Sequence, residues 1–188
     1  MNISSFLIYC FIVTFTPGPT NIVILSTVHN SGTAKAMKYT YGATAAFGLL
    51  LLMSAVLNTM VIPKILIFMQ IIGSLYMLYL AYQIFKMGPS EPSLNRSASF
   101  KSGFLMQFLN PKVVLFTMTV LPSFVLPYYS AIAAVTISVG VITLIGFLAF
   151  ITWVLSGTIS KKFLRRNEKI VNILMALFLV YSVIMIWI

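Results

Sequence analysis

Two short runs of residues carry the chemistry open to this sequence: Thr16-Pro17-Gly18-Pro19-Thr20-Asn21 and Asn110-Pro111-Lys112. Both interrupt long apolar stretches. Proline inside a helix removes one backbone hydrogen bond and collides with the carbonyl four residues back. A capping Thr or Asn followed by Pro at the first helical position marks a helix start. The spacing therefore predicts two interrupted helices, restarting at Thr16-Pro17 and at Asn110-Pro111. A helix start exposes N–H groups and the positive end of its dipole, which suit an anionic group such as a carboxylate. Lys112 follows directly. Its ammonium either pairs with that carboxylate or snorkels along its stem to the membrane surface. Asn21, one turn beyond Pro17 and Gly18, can hydrogen-bond a substrate head group or a neighbouring helix. The candidate binding residues are Thr16, Pro17, Gly18, Pro19, Asn21, Asn110, Pro111 and Lys112, with weaker claims for Gln107 and Asn58. The bland alternative is a pair of proline kinks that only shape packing.

This is binding chemistry. A reaction needs more than the chain provides: it has one His, one Cys and no Asp. No His-Glu-x-x-His or Gly-x-Ser-x-Gly run occurs, and no cluster of metal ligands. The expectation is no enzyme, no cofactor and no metal. Cys10 is the lone cysteine, so no disulfide forms within the chain.

The elements that position these runs follow from composition. Sixty per cent of the 188 residues are hydrophobic and only 7% are charged. Soluble domains carry about 25% charged residues, so a water-soluble fold is excluded, and the net charge of +10 does not mark a nucleic-acid binder. A membrane helix needs about 20 apolar residues. Apolar runs at 3–27, 39–62, 65–85, 103–126, 129–155 and 169–187 predict six spans. The first has no basic residue before it and is too long for a signal peptide.

Ten of the twelve basic residues fall in alternate gaps, at 28–38, 86–102 and 156–169, whereas Lys64 alone lies on the opposite side. Basic loops stay cytoplasmic, so both termini are expected outside. The run Lys161-Lys162-Phe163-Leu164-Arg165-Arg166 fits this topology and anionic lipid heads, with a specific lipid or regulatory site as the alternative. Tyr128, Tyr129 and Trp187 at outer ends, and Tyr39 and Trp153 near inner ends, fit aromatic belts.

Residues 87–101, rich in Gly, Pro and Ser, read as a cytoplasmic linker within a single membrane domain spanning 1–188. They separate one half, 1–86, from another, 102–188. The halves look alike. Pro17 matches Pro111, Gly42 and Gly48 match Gly140 and Gly146, and Tyr82 matches Tyr181, at offsets of 94, 98 and 99. A repeat of three spans must insert upside down, and inverted repeats place a transporter's site at their interface. The expected fold is an all-α integral membrane protein of six helices. These form two inverted three-helix repeats, broken in spans 1 and 4. The four glycines are expected at close helix contacts. One misfit remains: Pro17 is deeper in its span than Pro111, unless 101–110 is a short half-span.

The run at 16–21 resembles the glycine-proline signature of the LysE/RhtB amino-acid exporters, and Asn-Pro-Lys at 110–112 resembles their second signature. Length, six spans and the two tyrosines of the third span match too. Phe-Val-Leu-Pro at 124–127 and the neutral Asn21 look most like the cysteine and O-acetylserine exporter branch. The resemblance covers essentially the whole chain. It implies a carrier of the bacterial inner membrane that moves amino acids outward, usually on the proton gradient. Many members have Asp where Asn21 stands, so a neutral zwitterion or small polar derivative is implied here rather than a cation. A channel or an accessory subunit is the alternative. The expected partners are a small amino acid and the lipid bilayer, with room for a homo-oligomer and none for nucleic acid. Proton relays in membranes usually use Asp, Glu or His. Glu91 and Glu168 fall in cytoplasmic loops and His29 at the inner end of span 1, so no carboxylate is expected within the bilayer.

Overall fold

The computed structural model describes residues 3–57 and 98–159, with helical positions scattered through 71–86 and 169–184. The regular elements among the described residues are helices: α1 (Ile3–Phe15), α2 (Pro19–Ser31), α3 (Thr33–Leu57), α4 (Phe100–Leu109), α5 (Pro111–Val120) and α6 (Ile132–Ile159). A wide π turn, Leu121–Val125, continues α5 across Pro122. The helices α3 and α6 are long and apolar enough to cross a membrane. The pairs α1–α2 and α4–α5, bent by 45° and 70°, are each apolar enough together to form a broken span or a re-entrant loop. The spans expected at 65–85 and 169–187 lie largely outside the described residues. Asn58, Lys64, Glu91, Glu168, Trp187 and the basic run at 161–166 lie wholly outside them.

Local chemistry explains the boundaries. Gly32 joins α2 to α3 at φ 88°, a left-handed turn that glycine makes without strain. It extends the first span's helix to Ser31 and starts the next at Thr33, beyond the apolar limits at 27 and 39. Ser99 caps α4 through a reciprocal capping box with Ser102. Phe100 and Lys101 are therefore helical, although the composition places Lys101 in the linker. The half-helices before the two breaks are 13 and 10 residues long. Their depths differ less than the positions of Pro17 and Pro111 suggest, and 100–109 is indeed a short half-helix.

Two apolar clusters hold the described helices together. One gathers Ile22, Val28, Tyr39, Ala43, Met106, Phe150 and Val154, from α2, α3, α4 and α6. The other gathers Phe6, Cys10, Phe47, Leu51, Phe116, Val120 and Ile142, from α1, α3, α5 and α6. Between helices in lipid, association rests on close contact rather than water exclusion, so small residues matter. Helices α3 and α4 pack by reciprocal glycines: a Cβ at Gly42 would fall on the Phe100 carbonyl, and one at Gly103 on the Tyr39 carbonyl. Gly48 meets Thr143 and Gly146 meets Phe47, as close packing requires. Gly140 does not fit that expectation, since a Cβ there would meet nothing within 4 Å among the described residues. Tyr39 also departs from the belt expected of it, being buried in the first cluster, and Trp153 is half-buried against the same cluster. Their positions near span ends do not decide exposure; the neighbouring helices do.

Candidate functional site

The two bends meet at one small cavity. Its wall takes Gly18, Thr20 and Asn21 from the first bend and Asn110, Lys112 and Val113 from the second, together with Val13, Thr14, Phe47, Phe116, Gly146 and Phe150. Its volume is about 30 Å³, room for a water or two. It lies where the two apolar clusters approach each other, with Phe47 and Phe116 from one and Phe150 from the other.

The first bend strips hydrogen bonds from the end of α1, because Pro17 and Pro19 have no N–H. Backbone carbonyls left without their helical donors need other partners, and side chains supply them. The Thr16 hydroxyl lies 2.7 Å from the Ile12 carbonyl and 3.2 Å from that of Val13, donating back into α1. The Asn21 amide donates to the Thr14 carbonyl at 3.3 Å and to the Thr16 carbonyl at 2.9 Å. The Trp153 indole N–H donates to the Phe15 carbonyl at 3.3 Å. The Lys112 ammonium donates to the Thr16 carbonyl (3.0 Å), the Thr16 hydroxyl (2.8 Å) and the Pro17 carbonyl (3.4 Å). A cation at a helix C-terminus is also favoured by the dipole. Lys112 thus reaches across to the first bend, and its stem lies against Gly18, where a Cβ would come within 3.2 Å of Lys112 Cδ.

Thr16 does not cap a helix starting at Pro17. The cap is Gly18, in extended conformation at φ −160°, with Pro19 at the first helical position. The hydroxyl of Thr16 is already turned back onto α1, a competing local bond typical of Ser and Thr. Asn110 does cap α5: its side chain accepts from the Lys112 backbone N–H at 3.2 Å, with Pro111, buried, following it. The two starts are therefore not equivalent. That of α5 is closed by its own asparagine, whereas α2 has no side-chain cap. The first N–H groups of α2 have no carbonyl within the helix to reach.

A buried polar triad ties the bends together. The Asn110 amide donates to the Thr20 hydroxyl at 2.9 Å, and the Gln107 amide donates to it at 3.1 Å. Thr20, Gln107 and Asn110 are all nearly inaccessible. Sequence reasoning gave Thr20 no role and Gln107 a weak one, because nothing local reports a partner 87 residues away. Phe47, Phe116 and Phe150 are equally illegible among 15 phenylalanines. Replacing Thr20 by Val leaves two buried amides without this partner. The expected loss is about 1–3 kcal/mol, read as thermal unfolding in detergent, with Thr20→Ser close to wild type.

Asn21 is 4% exposed, and its Oδ1 has no hydrogen-bond partner among the described residues. Its orientation is fixed, because the two carbonyls it faces can only accept. The cavity therefore presents a lysine ammonium and an uncapped helix start beside a buried, unused acceptor.

Residues 11–185 match the family described as LysE type translocator. Proteins named cysteine/O-acetylserine efflux protein, from Escherichia coli strain K12, Shigella sonnei and Shigella flexneri, are each 29% identical to this chain. The matches cover 98% of this chain and 97% of theirs. No solved structure matches. With the family match running through both bent pairs and the cavity between them, the chain belongs to the LysE type translocators.

Proposed function

We propose that this protein is a secondary carrier that exports a small neutral amino acid or derivative, of the cysteine, O-acetylserine or threonine kind, and that the cavity between the two bends is its binding site. The observation that carries this is the pairing of opposite recognition elements in one cavity. The ammonium of Lys112 and the open start of α2 suit a carboxylate. The unpartnered Asn21 Oδ1 suits an ammonium. A zwitterion presents both. Asparagine accepts from the ammonium without adding a charge that would favour a cationic substrate. The names of the efflux proteins at 29% identity agree in class.

The scaffold follows the same proposal: a bacterial inner-membrane protein of six spans with both termini outside. It consists of two inverted repeats, 1–86 and 102–188, joined by a cytoplasmic linker at 87–101. In support, each half opens on a proline-broken helix pair followed by a long helix, and the two broken pairs line one cavity. Rocking of one repeat against the other would alternate access.

Efflux of a panel of labelled amino acids from vesicles holding the purified protein tests this. Saturable export of small neutral amino acids, with counterflow, is expected. Flux that never saturates would mark a channel, and absence of flux from the protein alone would mark an accessory subunit. None of the described residues that line the cavity carries a carboxylate, and Glu91 and Glu168 are expected in cytoplasmic loops, so export is expected to survive the double substitution Glu91→Gln, Glu168→Gln. Loss of export in a well-inserted double variant would show that a carboxylate carries the coupling.

A further inference from the structure

We infer that the substrate's side chain lodges against an aromatic wall of Phe47, Phe116 and Phe150, and that Phe47, resting on Gly146, sets the size of side chain that the carrier accepts. The inference rests on the proposed role of the cavity as an amino-acid site.

The cavity has two unlike faces. Lys112, Asn21, Asn110 and the start of α2 make the polar one. Opposite in character are Val13, Val113 and the three phenylalanines, whose side chains carry no hydrogen-bonding atom, with Thr14 beside them donating its hydroxyl to the Cys10 carbonyl. A zwitterionic head group anchored on the polar face leaves only the apolar wall for its side chain. Phe47 is central to that wall. Its ring stacks on Phe116 at 5.9 Å with the planes 5° apart, and meets Phe150 edge-on at 6.4 Å. It is 2% exposed.

Gly146 makes that ring position available. A Cβ at 146 would stand 2.6 Å from Phe47 Cε1 and 2.9 Å from Cδ1. Gly146 itself lines the cavity, so an added methyl and the ring it displaces both take space from the substrate. Truncating Phe47 does the reverse. The wall also ranks side chains chemically. A methyl, a thiol or an acetyl ester finds apolar and polarisable contact, and sulfur packs well against aromatic rings. A carboxamide or a second carboxylate finds no partner there.

The test is a ratio rather than a rate. In vesicles holding the purified protein, kcat/KM for labelled leucine is compared with that for labelled alanine. An apolar pocket separates substrates differing by a methylene by about 10–200-fold. Phe47→Ala is expected to raise the leucine-to-alanine ratio at least tenfold, on the order of one such step. Gly146→Ala is expected to lower the ratio of cysteine to glycine. Phe47→Leu, a milder change, should move the leucine ratio in the same direction as Phe47→Ala and decides the matter if that variant does not insert. A fall in all rates with unchanged ratios would overturn the inference while leaving the cavity as the binding site. Export by wild type of no amino acid at all would overturn both.

Discussion

Replacing Lys112 by alanine is expected to abolish export while the protein still inserts and folds. The ammonium has two tasks at one point. At rest it closes the end of α1, donating to the Thr16 carbonyl and hydroxyl and to the Pro17 carbonyl. In the proposed bound state it turns toward the substrate carboxylate, which competes with those oxygens. A hydrogen bond to a charged group contributes about 1.5–3 kcal/mol, which is about 10- to 150-fold in affinity. Alanine loses this and leaves the Pro17 carbonyl without its donor. The tasks separate by substitution. Lys112→Met keeps most of the stem against Gly18 and removes the charge, so it should stay folded and fail to export. Lys112→Arg keeps the charge but carries a wider, planar head, and should retain a small fraction of activity. Efflux normalised to inserted protein checks all three. Wild-type export by a well-inserted Lys112→Ala protein would remove the cavity from the mechanism.

The largest effect on folding is expected at Gly42 and Gly103. A methyl at either position meets backbone of the facing helix: Phe100 for Gly42, Tyr39 and Ala43 for Gly103. Backbone cannot rotate aside as a side chain can, so α4 must move off α3. Overpacking a well-filled contact typically costs about 1–3 kcal/mol, occasionally more, and alanine at either glycine should reach the upper end. The pair should be non-additive, because one displacement of α4 relieves both clashes. The movement would also carry Gln107 and Asn110 away from Thr20, so export should fail along with stability. Gly140→Ala is the control. With nothing within 4 Å, it should gain about 0.5–1 kcal/mol from helix propensity. Thermal unfolding in detergent measures all four proteins. A Gly103→Ala protein as stable as wild type would show that the α3–α4 contact is looser than described.

What the sequence could tell depended on how far apart the partners lie. Pro17, Pro19 and Pro111 announce the breaks because a missing N–H is a local fact, and Asn110 announces a cap for the same reason. Thr16 was misread from an equally local pattern. Its hydroxyl had a nearer carbonyl behind it, and the second proline took the helix start two residues on. The triad of Thr20, Gln107 and Asn110, and the reach of Lys112 to Thr16, join residues about ninety positions apart. No spacing rule connects those. The glycines show the same divide. Gly42, Gly48 and Gly146 sit at contacts, Gly140 does not, and the six-residue spacing in both halves gave no means of telling them apart.

The cavity's size has a kinetic consequence. A space of about 30 Å³ holds no amino acid, so on the proposed role the cavity must widen before substrate fits. On that role substrate binds only the widened form, and its apparent affinity is weaker than the intrinsic one by the fraction of protein in that form. Capture on this proposal depends on how often the cavity widens between Gly18 and Asn110, as well as on how often substrate arrives. Changes that stiffen either bend would slow uptake from the cytoplasm even at saturating substrate, without touching a single group that contacts it.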